Sequence, residues 1–169
     1  MSGRVSSVRR ARSEVEDERW MHYALTLARR AAQRGEVPVG AVAVASDRKI
    51  AAAGNRMERT PDGTAHAELI CLRSAARRGG GWRLDEVTLY VTLEPCPMCA
   101  AAMVLARLGR LVYGARDPKK GADGSAYDLL RHPSNNHRVQ VTEGVLADEA
   151  GRLLTEFFRR LRGKRALLT

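Results

Sequence analysis

The sequence predicts an α/β fold in which a mixed β-sheet lies between helices, and two observations lead to this expectation. Segments whose apolar residues recur at helical spacing alternate along the chain with short β-branched or apolar runs. Their order is α-β-β-α-β-α-β-β-α, which is typical of a sheet with helices packed against it. The 169 residues are enough for one domain with its own core, so we expect one fold and one site.

The first third of the chain predicts a helix followed by a hairpin. Apolar residues are spaced as in a helix over residues 14–34, and Gly35 is a suitable residue to end it. Residues 39–45 form a nearly continuous run of β-branched and small apolar side chains. A polar connection then leads to a second short run at residues 50–54, so the two runs predict paired strands.

The middle third predicts two helices that begin with reactive side chains. Residues 62–64 offer capping groups before a helix over residues 66–78, which a run of glycines ends. Residues 87–92 are typical of a buried strand. Pro97 then opens an apolar helix over residues 98–108, because proline is tolerated in the first helical turn. A histidine therefore lies at one helix start and two cysteines lie at the other.

The last third predicts two more strands and a final helix. Residues 111–114 form a short apolar run, and a charged, glycine-containing loop follows at residues 116–125. Residues 138–142 predict the fifth strand of the sheet, and residues 148–161 have the pattern of an amphipathic helix.

The charge of the chain predicts a polyanionic partner. The formal net charge is +10, and the sequence pI is about 10.4. Nucleic acid would explain this excess of basic residues, and an anionic membrane surface would explain it equally well. Residues 1–13 contain four arginines and no acidic residue, and we expect them to form a disordered basic arm. Without these arginines the charge is still +6, so the rest of the chain is basic as well.

The cysteines predict a reducing compartment. There are three, two of them in a C-x-x-C pair, so Cys71 has no obvious disulfide partner. No apolar run approaches the roughly 18 residues of a transmembrane helix, and the first residues lack the apolar segment of a signal peptide. We therefore expect a soluble, cytoplasmic protein with no membrane partner.

A split motif supplies a candidate metal site with one carboxylate to spare. His66-Ala67-Glu68 opens one predicted helix, and Cys96-Pro97-Met98-Cys99 opens the next. One histidine nitrogen and two thiolates suit Zn²⁺, and three protein ligands leave the fourth tetrahedral position open, as in catalytic sites. Positions i and i+2 point about 200° apart in a helix, so His66 and Glu68 can serve one site only at a helix N-terminus.

Each half of this motif has a simpler interpretation when it is taken alone. His-x-Glu occurs often by chance, and C-x-x-C is also found in redox pairs and structural zinc sites. A structural site needs a fourth ligand, and Cys71 lies about 140° around the helix from His66. We therefore expect Cys71 to pack as a core hydrophobe and the other histidines to be surface or structural groups. The two halves together match the H-x-E…P-C-x-x-C signature of zinc nucleobase deaminases.

Over residues 14–158 the chain resembles the bacterial tRNA-specific adenosine deaminases of the cytidine deaminase superfamily. The resemblance rests on Glu36-Val37-Pro38-Val39-Gly40-Ala41-Val42, Asn55-Arg56, Thr64-Ala65-His66-Ala67-Glu68, Leu89-Tyr90-Val91-Thr92-Leu93-Glu94-Pro95-Cys96, Gly114-Ala115-Arg116-Asp117, and His132-Pro133 with Asn136-His137-Arg138-Val139.

The resemblance implies a three-layer α/β/α cytidine-deaminase-like fold with a central mixed five-stranded sheet. It implies a zinc-dependent deaminase domain over residues 14–162, followed by a basic tail at residues 163–169. It also implies one Zn²⁺ per subunit and a homodimer that binds tRNA. The implied reaction converts the wobble adenosine of an anticodon loop to inosine, in an arginine tRNA with the anticodon ACG.

Site residues carry over from the family by position. His66, Cys96 and Cys99 would hold the zinc ion, and Glu68 would transfer protons during the reaction. Asn55 would hydrogen-bond the flipped nucleoside. The residues that would line the base pocket are Val37, Pro38, Ala65 and Leu93. Contacts elsewhere on the RNA would come from Asp117, to a ribose 2′-hydroxyl, and from Arg159 and Arg160, to phosphates.

Two other functions are compatible with the same zinc motif. A deaminase of a free nucleobase or nucleoside, such as guanine, cytosine or cytidine, would keep all four zinc-site residues, although it has no need of a basic surface. A catalytically silent RNA-binding subunit with a zinc ion is the alternative of another class. The presence of Glu68 argues against the silent subunit, which has no use for a proton carrier.

Overall fold

The computed structural model describes residues 2–166, and it describes side chains over residues 13–163. It contains every predicted element, each within a few residues of its expected position except at the two ends of the chain. The elements are α1 (Ser2–Gln33), β1 (Gly40–Ala45), β2 (Arg48–Gly54), α2 (Ala67–Gly79), β3 (Thr88–Leu93), α3 (Pro97–Leu105), β4 (Arg110–Ala115), β5 (Gln140–Thr142) and α4 (Ala147–Ala166).

The five strands form one mixed sheet in the order β2-β1-β3-β4-β5. The β1–β2 hairpin and the β1–β3 pair are antiparallel, whereas β3–β4 and β4–β5 are parallel. Helices α1 and α4 contact β4 and β3 on one face of the sheet, and α2 and α3 cover the other face. The predicted three-layer α/β/α fold is therefore confirmed.

Each face of the sheet has its own core because successive strand residues point to opposite sides. Val42, Tyr90 and Val112 pack under α1 and α4 with Met21 and Leu25 of α1. The neighbouring positions Ala41, Ala43, Leu89, Val91, Leu111 and Tyr113 pack under α2 and α3. No helix in the described part of the chain is long and apolar enough to span a membrane.

Strand pairing brings several loops to one edge of the sheet. Gly40 at the start of β1 pairs with Gly54 at the end of β2, and Ala41 pairs with Val91 near the end of β3. Leu93 pairs in turn with Ala115, which ends β4. The segments before β1 and after β2, β3 and β4 therefore all leave the sheet at this edge, which we call the site edge.

The structure differs from the sequence-based expectation at both ends of the chain. Helix α1 begins at Ser2, whereas we expected it to begin at residue 14 after a disordered arm. The arginines and alanine of residues 4–13 are good helix formers, and no proline interrupts them, so the backbone continues the helix that residue 14 would begin. Helix α4 likewise continues to Ala166, and the last three residues of the expected tail lie outside the described residues.

The expected cap of α2 is also different. Asp62 does not cap the helix, because its carboxylate accepts hydrogen bonds from the backbone N–H and the hydroxyl of Thr64. The N-cap residue is His66, and its side chain makes no capping hydrogen bond. Asp62 therefore closes a turn that precedes the helix, as aspartate commonly does.

A buried ion pair fixes α1 to the sheet. The two terminal guanidinium nitrogens of Arg110 donate to the carboxylate of Asp17, at 2.9 and 2.7 Å. The hydroxyl of Tyr90 donates to the same carboxylate. Asp17 is buried, and the paired geometry offsets the cost of removing its charge from water. This cluster holds the helix across β3 and β4.

Gly40 permits the closest approach between α1 and the sheet. A Cβ atom at this position would lie 2.1 Å from the Ala24 carbonyl oxygen and 2.8 Å from the Ala28 nitrogen. We expect Gly40→Ala to lower the free energy of unfolding by about 2 kcal/mol or more, because the backbone of a packed helix cannot yield cheaply. Gly151→Ala is the control, since a Cβ there meets nothing within 4 Å in α4. Urea unfolding midpoints would test both, and a stability of Gly40→Ala equal to that of the wild type would contradict the expectation.

Candidate active site

Two helix N-termini bring the split motif together. His66 is the N-cap residue of α2, and Cys96 is the N-cap residue of α3, each with extended backbone conformation. Neither side chain caps its own helix, and Pro97 occupies the first turn of α3. The prediction that both halves of the motif lie at helix starts is confirmed. Helix N-termini also carry partial positive charge, which favours the thiolate form of a cysteine placed there.

The three predicted metal ligands lie within bonding reach of one ion. The Nδ1 atom of His66 is 3.6 Å from the sulfur of Cys96 and 3.5 Å from the sulfur of Cys99. All three ligand atoms lie within 4.8 Å of one another. A tetrahedral zinc ion with ordinary Zn–N and Zn–S bonds requires N···S separations of about 3.6 Å, so the spacing fits this ion.

The cluster contains three protein ligands and no fourth. Over the residues whose side chains are described, no other histidine, cysteine or acidic side chain joins the group. Cys71 is fully buried in the core, and burial raises the pKa of its thiol to about 12. The expectation that Cys71 packs as a hydrophobe is therefore confirmed. The open fourth position is the arrangement of a catalytic zinc site rather than a structural one.

The side chains of the cluster share protons. A hydrogen bond from Cys99, assisted by His66, lowers the pKa of Cys96 to about 4. The same hydrogen bond, together with burial, raises the pKa of Cys99. The contact with Cys96 also raises the pKa of His66. The lowered pKa of Cys96 favours its thiolate, which is the form of cysteine that binds a metal.

Glu68 lies beside the ligands without being one of them. It occupies the first turn of α2, is almost fully buried, and interacts with the thiol of Cys99. Burial raises its pKa, because a charged carboxylate is disfavoured away from water. A carboxyl group with a raised pKa at an open metal site is suited to accept and return a proton.

The site edge also holds the residues predicted to contact the nucleoside. Asn55 directly follows β2 and is buried, and its side-chain amide makes no hydrogen bond to any residue in the described part of the chain. Val37 and Leu93 are half-buried and pack against the core cluster that includes Cys99. Pro38 and Ala65 are buried, and Ala65 immediately precedes His66. Apolar side chains and the Asn55 amide therefore lie on segments that leave the sheet at the same edge as the segments with the metal ligands.

Asp117 lies on the loop that follows β4 at the same edge. Its Oδ1 atom accepts hydrogen bonds from the backbone N–H groups of Lys119 and Lys120. The carboxylate is half-buried, and one of its oxygens is occupied by these contacts. Arg159 and Arg160 are exposed on α4.

The remaining histidines lie outside the cluster, as expected. His22 is exposed on α1, and the ring of His132 hydrogen-bonds the hydroxyl of Ser134. The ring of His137 hydrogen-bonds the carbonyl oxygen of Leu108. Each of them therefore has a surface or structural role.

Two buried glutamates at the site edge were not singled out from the sequence. Glu36 accepts hydrogen bonds from the backbone N–H groups of Glu58 and Arg59, on the loop after Asn55. Glu94 accepts hydrogen bonds from the loop after β4. Burial opposes ionisation of Glu94, but the hydrogen bonds from Ser125, Asp117 and Asp123 outweigh it and lower its pKa. The sequence pattern that could have revealed them is a single glutamate directly next to an apolar run, before it for Glu36 and after it for Glu94.

Comparison with known proteins shows the family of this chain. The model of the MafB19-like deaminase family matches residues 15–162. The tRNA-specific adenosine deaminase of Bacillus subtilis (strain 168) is 47% identical over 151 residues, which are 89% of this chain and 94% of that protein. The chain belongs to the tRNA-specific adenosine deaminase family. The corresponding enzyme of Haemophilus influenzae is 46% identical to this deaminase over 159 residues, covering 94% and 91% of the two chains.

Solved structures are similar to this deaminase as well. One comes from studies of A-to-I editing by tRNA:A34 deaminases at the wobble position, and it covers 80% of this chain and 99% of its own. Its TM-score is 0.78 and its sequence identity is 46%. A guanine deaminase from Nitrosomonas europaea is more distant, with a TM-score of 0.69 and 27% identity over 83% of each chain. The fold is thus shared with a deaminase of a free base.

Proposed function

We propose that this protein deaminates the wobble adenosine of a tRNA anticodon loop to inosine, with the arginine tRNA of anticodon ACG as its substrate. The observation that carries the proposal is the cluster of His66, Cys96 and Cys99 with Glu68 beside it. The cluster lies in a chain that is 47% identical to a tRNA-specific adenosine deaminase over nearly the whole length of that protein. The overall reaction consumes water and releases ammonia.

We infer that His66, Cys96 and Cys99 hold one Zn²⁺ ion per subunit. The fit of their spacing to a tetrahedral ion and the lowered pKa of Cys96 support this inference. A zinc ion bound at such a site makes water a competent nucleophile near neutral pH.

In this proposal Glu68 moves the protons. It accepts a proton from the attacking water and delivers it to N1 of adenine as C6 becomes tetrahedral. It then passes the proton of the new C6 hydroxyl to the exocyclic amine, so that the C6–N bond breaks as the C6=O bond forms, and ammonia and inosine are released. The burial that raises the pKa of Glu68 suits both halves of this task, because the group must release the proton as readily as it accepts it.

The nucleoside would be held by residues at the site edge. The unpaired amide of Asn55 is available to hydrogen-bond the flipped adenosine. The apolar side chains of Val37, Pro38, Ala65 and Leu93 would enclose the base and exclude bulk water from it. An anticodon loop is a suitable target because its bases are already unpaired, which removes much of the unstacking cost of a few kcal/mol.

Recognition of RNA beyond the target base would use Asp117 and the basic surface. Asp117 would contact the 2′-hydroxyl of a neighbouring nucleotide, a group that DNA lacks. Exposed Lys119 and Lys120 flank it on the same loop, and they would contact phosphates near the site. Arg159 and Arg160 would contact phosphates from α4. The net charge of +10 supports electrostatic attraction of this kind.

We further propose that the protein is a cytoplasmic homodimer. Helix α3 is apolar in every residue from Pro97 to Leu105, yet Leu105 is 75% exposed and Ala101 is also exposed. An all-apolar helix is typically buried on all sides, so its outer face requires a partner. A second copy of the chain packed on this face would provide the cover.

A free-base deaminase is the second candidate function, because the fold is similar to that of the guanine deaminase from Nitrosomonas europaea. The deciding experiment measures ammonia release by zinc-loaded protein on an anticodon stem-loop with a wobble adenosine. Free adenosine, guanine, cytosine and cytidine serve as parallel substrates. The proposal predicts turnover of the stem-loop alone, whereas turnover of a free base alone would establish the second candidate. A silent subunit would give no turnover of any substrate.

Replacing the Asp117 carboxylate tests how the protein distinguishes RNA from DNA. Asp117→Asn keeps the Oδ1 atom that accepts from Lys119 and Lys120, so the loop should keep its shape. We expect the ratio of kcat/KM for RNA over DNA stem-loops to fall about tenfold, because one hydrogen bond from the 2′-hydroxyl is weakened. Asp128→Asn removes the same charge from an exposed position and is the matched control. An unchanged ratio in Asp117→Asn would remove the assigned contact.

A further inference from the structure

Glu94 is a buried carboxylate whose contacts all lead to one loop. It stands between Leu93, which ends β3, and the segment Pro95-Cys96 that carries a metal ligand, and only 1% of its surface is exposed. Its Oε2 atom accepts hydrogen bonds from the N–H of Asp117, at 3.0 Å, and from the hydroxyl of Ser125. Its Oε1 atom accepts from the N–H groups of Asp123, at 2.9 Å, and Ser125, at 3.3 Å.

These four donors span the loop formed by residues 117–125, which we call the substrate loop. A carboxylate can be buried at tolerable cost only when its oxygens are paired or hydrogen-bonded, and here three backbone N–H groups of the substrate loop and the Ser125 hydroxyl supply the bonds. No lysine or arginine side chain within the described residues pairs with Glu94. The loop therefore stabilises the buried carboxylate, and the carboxylate holds the loop in place.

We propose that Glu94 is a positioning residue that fixes the substrate loop, and with it Asp117, beside the metal-binding site. This inference rests on the proposed function, because it assigns the loop a role in holding the RNA next to the target base. Glu94 itself does not touch substrate. It acts by presenting the Asp117 side of the loop in one conformation, so that no ordering cost is added when RNA binds.

The two ends of the substrate loop are anchored differently. The Asp123 end has further contacts, because its carboxylate is paired with Arg131 and accepts a hydrogen bond from Tyr113. At the Asp117 end, the backbone N–H has Glu94 as its partner. Loss of the Glu94 carboxylate should therefore release the Asp117 end first and leave the Asp123 end in place.

Gly121 shows how closely the loop packs against Glu94. A Cβ atom on Gly121 would lie 2.3 Å from Cδ and 2.4 Å from Oε2 of Glu94, well inside contact distance. The N–H of Gly121 also donates to the Asp117 carbonyl oxygen. Gly121→Ala therefore disturbs the contact with Glu94 from the loop side, without changing Glu94, and its Cβ would also lie 2.6 Å from the Asp117 carbonyl oxygen.

The test begins with Glu94→Gln, which keeps the size of the side chain. In Glu94→Gln, the amide NH₂ group can take the place of Oε2 and donate to the Ser125 hydroxyl, which can accept. The NH₂ group cannot accept from the Asp117 N–H, which therefore loses its acceptor. We expect hydrogen exchange to be faster at the Asp117 amide than in the wild type. We also expect KM for the anticodon stem-loop to rise about tenfold while kcat changes less than about threefold, with zinc content unchanged. Gly121→Ala should produce the same pattern.

A buried carboxylate far from the substrate loop provides the control for lost stability. Asp17→Asn removes a buried charge from the ion pair with Arg110, so it should lower the unfolding midpoint. It should leave both KM and exchange at Asp117 at wild-type values. In the double variant of Glu94→Gln with Gly121→Ala, the effects on KM should be less than additive, because both changes break one contact.

Two results would overturn the proposal. One is unchanged hydrogen exchange at Asp117 in Glu94→Gln, which would show that the carboxylate does not hold the loop. The other is a fall in kcat with unchanged KM, which would place Glu94 in the chemical step. Failure of the proposed function would look different, since wild-type protein would then be inactive on the stem-loop while the exchange pattern still reported on the loop.

Discussion

Glu68→Ala is expected to retain its zinc and to lose turnover of the anticodon stem-loop by a factor of about 10³ or more. The change removes the group that accepts the proton of the attacking water and returns it to the base, and such general acid–base groups contribute about 10²–10⁴ in rate. Zinc should remain because Glu68 is not part of the His66, Cys96 and Cys99 cluster. Metal content and single-turnover kinetics measure the two effects separately.

Glu68→Gln sharpens this test. Glutamine has the same shape and can still hydrogen-bond, but it cannot carry the proton, so it should be nearly as inactive as the alanine variant. Glu86→Ala, at an exposed position, is the control for loss of a carboxylate. Near wild-type turnover by Glu68→Gln would show that the proton is moved by another group.

Cys99→Ala should abolish both zinc binding and activity. Cys99 is fully buried at the start of α3, and its sulfur lies 3.5 Å from Nδ1 of His66. Two remaining ligands cannot complete a tetrahedral zinc site, so metal should be lost on dialysis and the rate should fall by a factor on the order of 10³ or more.

Cys71→Ala is the matched control for this variant. Cys71 is equally buried, but it is not one of the three metal-binding residues. Burial raises the pKa of its thiol to about 12. The variant should keep stoichiometric zinc and wild-type kcat, and it should lose only some stability because a small core side chain is shortened. Zinc loss in Cys71→Ala would mean that the ligand assignment is wrong.

Most of the fold followed from local patterns because each pattern has a direct physical cause. The alternation of helix and strand periods predicted all nine elements, and proline at position 97 together with the glycines after α2 gave two helix boundaries. The metal cluster could be predicted for the same reason. The histidine lies at the start of one helix and the two cysteines lie at the start of another, so the metal site forms once these two helix starts are close together.

Other features depend on long-range packing and were beyond the reach of these patterns. The helix start at Ser2 was missed because a run of arginines and serines has no apolar periodicity to reveal a helix. The role of Glu94 was missed because its partners lie 23 to 31 residues further along the chain, on a loop with no regular pattern. Residues 62–64 were expected to supply the cap of α2, but the Asp62 carboxylate accepts hydrogen bonds from Thr64, which is closer in sequence than the helix start.

The residues expected to contact the target nucleoside and its neighbour lie at one edge of the sheet. Strand register places Val37, Asn55, Leu93 and Asp117 on segments that leave the sheet at one edge, beside the metal cluster. This placement allows them to contact a nucleoside at the metal cluster, and their individual roles are those implied by the resemblance to the family. Arg159 and Arg160 lack such support, because they lie on a helix that covers the opposite face of the sheet from α2 and α3.

Deamination of the wobble adenosine is measured most directly as inosine formation in a full-length arginine tRNA with the anticodon ACG. The tRNA is incubated with zinc-loaded protein, and every adenosine position is then read by sequencing. A tRNA with guanosine at the wobble position, and otherwise unchanged, is the control. We expect inosine at the wobble position alone and none in the control. Absence of inosine at that position, with ammonia released from free guanine or cytosine by the same protein, would contradict the proposed function.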